Sequence, residues 1–176
     1  FQRPRLNSKY NILEVIPMSD NAQRAYEAMQ STIGSDPVAG EWFEITQERI
    51  NDFADATIDH QFIHVDIERA AQTPFGGTIA HGFLTLSMLV HLSTTIPIEE
   101  SYQDIGGVLM GINYGLNKVR FINPVPAGSR VRATSQAIDV ALKGNAVDLT
   151  RKMTIEIEGQ DKPALIAEWI GRTVFS

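Results

Sequence analysis

The sequence predicts an α+β fold in which an antiparallel sheet curls around one buried helix. Three observations carry this. The segment from Ile79 to Thr95 is apolar on nearly every side, with Phe83, Leu84, Leu86, Met88, Leu89, Val90 and Leu92 separated only by small, hydroxyl or imidazole side chains. A helix of that kind has to be surrounded. The second half of the chain supplies the surroundings as five strand-like runs, GGVLMGINYG, LNKVRFI, GSRVRATSQAIDVAL, NAVDLTRKMTIEIE and ALIAEWIGRTVF. Turn signals NPVPAG, KGN and GQDKP punctuate them, and alternation such as Met153, Ile155, Ile157 gives a strand one apolar and one polar face.

The elements come in this order. Residues 1–18 show no clear period. Behind a Ser19/Asp20 cap, Ala22, Ala25, Tyr26, Met29 and Ile33 recur at helical spacing up to Gly34, which predicts an amphipathic helix lying on the outside of the main body. The breaker GSDPVAG precedes a short strand in EWFEI. Thr46 then caps a helix with Ile50, Phe53 and Ala54 on its apolar stripe, ending near Thr57. Asp66 caps a further turn, IERAAQ, and the glycine loop TPFGG leads into the apolar segment. No internal repeat interrupts this order, so the division expected is an N-terminal extension over 1–38 and one domain over 39–176.

Composition narrows the function classes. A chain of 176 residues with 43% hydrophobic and 20% charged residues is long enough to bury a core as one domain. The formal charge of −6 repels phosphate backbones, and the fifteen basic residues form no run, so no nucleic-acid partner is expected. The absence of cysteine excludes disulfides, thiolate nucleophiles and cysteine metal sites, and fits a cytoplasmic location. The longest apolar stretch carries two histidines and several hydroxyls, so no membrane span is expected. Phe1 is not a methionine, which leaves a preceding segment open.

The densest chemistry is DHQFIH, residues 59–64, in a chain with four histidines in all. His60 and His64 stand four apart, as in a helical zinc motif, but Gln61 replaces the glutamate of that motif and no third ligand lies nearby in sequence. The second reading is an acid/base pair in which Asp59 and His64 share one water, provided the loop doubles back. The third is a solvated polar loop holding one satisfied histidine. Residue types alone leave all three open.

The longer stretch FADATIDHQFIHVDIERAAQTPFGGTIAHGF, with VRFINPVPAGSRVR, resembles the R-specific enoyl-CoA hydratases and MaoC-like dehydratases of the hot-dog fold. The likeness covers about residues 40 to 135. Asp59, Ile63 and His64 match the family's loop motif, and Gln61 and Phe62 stand where it has asparagine and proline. The resemblance implies that Asp59 and His64 are the catalytic pair, adding water to a trans-2-enoyl-CoA to give an (R)-3-hydroxyacyl-CoA, or the reverse. It implies no cofactor, no metal, an acyl-CoA or acyl-carrier-protein thioester as substrate, and a homodimer. Gly82 is expected to bring a backbone N–H to the thioester oxygen, while Gln61 and His81 are expected to touch substrate. Two alternatives remain, a thioesterase on the same fold and a noncatalytic acyl-CoA-binding subunit. The thioesterases place a carboxylate on the central helix, and this chain has none from Ile79 to Ile98.

Overall fold

The computed structural model describes residues 20–97 and 105–176. In chain order the elements are helix α1 (Asp20–Gln30), strands β1 (Val38–Ala39) and β2 (Phe43–Glu44), and helices α2 (Gln47–Thr57), α3 (Phe62–Val65), α4 (Ile67–Ala70), α5 (Gly82–Ser87) and α6 (Leu89–Ser93). Four long strands complete the chain: β3 (Val108–Phe121), β4 (Arg130–Lys143), β5 (Ala146–Ile157) and β6 (Leu165–Phe175). The sheet runs β1-β4-β5-β6-β3, every pairing is antiparallel, and β2 also pairs with β4. This is the hot-dog arrangement, with the helices laid on one face of the sheet.

That face is set by strand alternation. Val131 lies opposite Ile157 and Ala133 opposite Ile155, and all four are buried together with Met153, Leu165 and Ala167 under Leu84, Met88, Leu89 and Leu92. The other face carries ion pairs across neighbouring strands, Arg132–Glu156 at 2.7 Å, Lys118–Glu168 at 2.9 Å and Arg172–Asp148 at 2.6 Å. Lys118, Arg130 and Arg132 are thus each paired with a glutamate in this fold.

Four expectations are corrected. The two runs GGVLMGINYG and LNKVRFI form one strand, β3, which absorbs Gly115 in a register shift against β6 and keeps Gly111 in register. The central helix comes as two pieces: the chain turns at Met88, whose N–H still reaches Leu84 O. Nor is that helix surrounded, since Phe83, Ser87, Val90 and His91 form an exposed stripe at helical spacing. Finally, α1 does not lie outside the main body. It packs on the inner face beside α6, where Ala22 and Ala25 meet Val140, Val147, Leu149 and Phe175. A register shift in β4 between Ala137 and Asp139 is the reason, because it keeps Val140 on the same face as Val131 and Ala133. Of the Ser19/Asp20 cap, Ser19 lies outside the described residues.

Candidate active site

Local capping places the loop. The Thr46 hydroxyl accepts from Arg49 N at 3.2 Å and starts α2, which stops as predicted at Thr57 because Ile58 takes a left-handed conformation (φ 60°). The Asp59 N–H returns to Ala54 O, so the chain folds back at once. Asp66 then ends α3 and caps α4 through Arg69 N at 3.0 Å. His64 is thereby held on a single helical turn between two caps, facing inward with 7% exposure.

Three of the sequence-predicted residues come together. Asp59, His64 and His81 each offer a carboxylate oxygen or ring nitrogen, and those atoms lie within 4.8 Å of one another. The two imidazoles stack, centroids 3.8 Å apart with 27° between planes, and Phe53 closes the far side of His81 at 5.1 Å. Main-chain carbonyls fix both rings. His64 Nδ1 is 2.7 Å from Ile79 O and His81 Nε2 is 2.9 Å from Asp59 O. A carbonyl only accepts, so each of those nitrogens carries the proton. Neutral His64 therefore leaves the Nε2 lone pair open, as a base requires, and in His81 Nδ1 is the ring nitrogen left over. His81 is 2% exposed, and its Nδ1 has no hydrogen-bond partner among the described residues.

Burial pushes the His64 imidazole below its ordinary basicity. The Ile79 carbonyl pulls the other way, His81 adds to the lowering, and the Asp59 carboxylate opposes it. His64 thus stays neutral beside an exposed carboxylate. Such a trio spans a distance that one small cation could also bridge, but stacked rings turn faces, not converging edges, toward each other, and ligation uses the in-plane lone pairs. His60 is elsewhere. Its Nε2 pairs with Asp55 Oδ1 at 2.8 Å on the surface, so the four-residue histidine spacing does not produce a shared site.

His64, Gly82 and Thr85 line a cleft of about 310 Å³ whose apolar wall comes from Phe75, Ile79 and Phe121. Gly82 is the first residue of α5, where backbone N–H groups have no partner inside the helix. A Cβ there would stand 3.1 Å from the Phe121 ring. Gln61 is exposed at the N-cap of α3 and makes no capping bond. His91 is exposed and packs edge-on against Phe43 at 4.6 Å. Two larger clefts, of about 440 and 430 Å³, lie beside Trp42 and Arg132 and beneath α1, and none of the trio lines them. Volume does not locate the chemistry here.

Sequence reasoning missed Gln47. Its Nε2 donates to His64 O at 2.8 Å and its Oε1 accepts the Thr78 hydroxyl. With 17 and 31 residues to its partners, no local pattern could have announced it.

The profile of the MaoC-like domain matches residues 28–158. The chain belongs to the MaoC-like family. It is 56% identical over 135 residues to 3-hydroxyacyl-thioester dehydratase Z of Mycobacterium tuberculosis, covering 76% of this chain and 85% of that protein. It is 48% identical over 144 residues to nodulation protein N of Rhizobium leguminosarum bv. viciae, covering 80% and 85%. An R-hydratase of Pseudomonas aeruginosa shares the fold with a TM-score of 0.59 at 19% identity, over 80% of this chain and 90% of that one. This MaoC-like chain is an enzyme of the hydratase/dehydratase class. Among the described residues no helix is long and apolar enough to cross a membrane.

Proposed function

We propose that the chain adds water across the double bond of a trans-2-enoyl thioester to give an (R)-3-hydroxyacyl thioester, and catalyses the reverse dehydration. The observation that carries this reading is the pairing of an exposed carboxylate with a buried, neutral imidazole beside a mostly apolar cleft. Asp59 and His64 hold one water. As its oxygen bonds to carbon 3, the water gives up a proton to the pair, electron density moves to the thioester oxygen, and carbon 2 takes a proton from the pair. The net change is hydroxyl to carbon 3 and hydrogen to carbon 2, with both side chains restored.

The developing oxyanion needs a donor already in place, and the Gly82 N–H serves that purpose. Glycine admits the substrate carbonyl without a side chain in the way. His81 does not line the cleft, and its buried Nδ1 is the acceptor left for a bound water or substrate group that reaches past His64, while Gln61 is open to the bound thioester. The substrate is carried on CoA or on an acyl carrier protein, and no metal or cofactor takes part. Residues 39–176 form the catalytic domain, 1–38 are its extension, and the enzyme works as a homodimer in the cytoplasm.

Following the loss of crotonyl-CoA absorbance with purified full chain tests the reading. Steady absorbance with crotonyl-CoA, and release of free thiol from saturated acyl-CoA instead, would replace it with thioester hydrolysis. The lack of any carboxylate on α5 and α6 speaks against that outcome.

A further inference from the structure

Gln47 is not part of the Asp59–His64–His81 trio, yet its side chain is tied to both segments that hold His64. The amide belongs to the first turn of α2. Its Nε2 donates to His64 O at 2.8 Å and to Asn51 Oδ1 at 2.8 Å, and its Oε1 accepts the Thr78 hydroxyl. Both amide protons and the carbonyl oxygen are thus used, so only one orientation of the amide satisfies all three partners. A side chain that merely accepts cannot replace it.

The other end of this bridge matters because Thr78 is joined directly to Ile79. Ile79 donates its N–H to Ile63 O at 3.0 Å, and its carbonyl accepts the His64 Nδ1–H. Thr78 itself is buried at 6% exposure, so the hydroxyl has little access to water as a substitute partner. One side chain on α2 therefore sets the distance between the turn carrying His64 and the segment carrying its hydrogen-bond acceptor. We propose that Gln47 is a positioning residue for His64: by joining the His64 carbonyl to the Thr78 hydroxyl it keeps the Ile79 carbonyl against Nδ1, and so keeps Nε2 free as the base. This rests on the acid/base role of His64.

The consequence is chemical as well as structural. If the Ile79 carbonyl drifts, the Nδ1–H form of neutral His64 loses its advantage over the Nε2–H form, which offers the water a proton where a lone pair is needed. A looser turn also admits water to the ring. Asp59 and His81 are the groups whose charges act on His64, whereas Gln47, Thr78 and Ile79 are neutral. A changed pH profile in a Gln47 or Thr78 variant then reports altered burial or tautomer, not a charge removed from beside the ring.

The test is crotonyl-CoA hydration by the full chain, as kcat, KM and the pH dependence of kcat/KM, in Gln47→Leu, Thr78→Val, their double, Thr78→Ser and Asp59→Asn. Gln47→Leu and Thr78→Val should each lower kcat about 5- to 50-fold, less than loss of the base itself, with KM changed by about twofold at most. The acid limb should shift, upward where water reaching the ring outweighs the loss of the Ile79 carbonyl and downward where it does not. Because both act through one bridge, the double should be within about twofold of the worse single, and Thr78→Ser, which keeps the hydroxyl, should be within about twofold of wild type. Unchanged kcat and acid limb in the singles, or multiplying losses in the double, overturn the proposal. If Gln47→Leu does not fold by circular dichroism, the isosteric Thr78→Val against Thr78→Ser decides alone. A fully active Asp59→Asn alongside an affected Gln47→Leu would instead sink Asp59's role and leave the bridge standing, and a silent wild type sinks both readings.

Discussion

At the scale of the residue, Asp59 and His64 act as a unit or not at all. Groups serving one water should each cost about 10²–10⁴ in kcat when removed, and the double substitution should be little worse than the more severe single one. Asp59→Asn is the informative variant, since it keeps the shape and the main-chain oxygen that His81 uses. Binding of a nonreactive acyl-CoA should survive it in a calorimetric titration. His60→Ala should be mild, because His60 answers only to exposed Asp55. Activity lost with a chelator and restored by zinc would refute the metal-free pair.

His64 also makes a prediction about stability. Its proton affinity in the folded chain lies below the ordinary value of 6.5, so at pH just under 6.5 the unfolded state binds the proton more readily than the native state. Stability should therefore be at its full value above that pH and fall as the pH drops through 6.5 toward the native value, then level off as far as this group is concerned. Thermal midpoints recorded from pH 8 to 5 should show this fall, and His64→Gln should flatten it. An equal slope in the variant would mean that some other group is responsible.

At the scale of the element, α5 begins against a ring from the end of β3. In Gly82→Ala the new methyl would press on Phe121, but that ring is half exposed and can yield, while alanine gains about 1 kcal/mol of helix propensity over glycine. Stability should change little. If Gly82 N–H is the oxyanion donor proposed above, activity should fall, because the methyl stands where the thioester oxygen would approach; a lost oxyanion donor costs about 10²–10³ in kcat. Unaltered turnover would remove Gly82 from the mechanism. Phe121 and Phe75 also wall the cleft, so Phe121→Ala should shift preference toward longer acyl chains more than it slows crotonyl-CoA. Equal losses at every chain length would mark a folding defect.

At the scale of the whole molecule, the sheet ends in a strand paired on one side only. β3 is fourteen residues long, pairs among the described residues with β6 alone, and exposes Val108, Leu109, Met110, Ile112, Tyr114 and Leu116. Open apolar edges of that length are avoided in lone chains, and a symmetric copy can pair and cover one. Light scattering at micromolar concentration should give a dimer mass, and Ile112→Lys should shift it toward monomer. A monomer in the wild type would leave this edge unexplained.

The sequence by itself determined the parts whose causes are local. The Thr46 and Asp66 caps, the end of α2 at Thr57 and the apolar faces of β4 and β5 were all legible, because a hydroxyl, a carboxylate or a period of two acts over a few residues. DHQFIH was legible as a dense polar stretch for the same reason, though residue types alone did not say which of its side chains face one another. Tertiary structure alone decided how His81 joins it, since His81 lies 22 residues from Asp59 and reaches it through a main-chain oxygen, an atom every residue carries. It likewise decided the place of α1, which hinges on one register shift in β4, and the Gln47 bridge, which spans 31 residues to Thr78. Periodicity reports which face of an element is apolar. Where that face goes, and which distant polar atom meets it, depends on how the elements pack, which no stretch of sequence encodes alone.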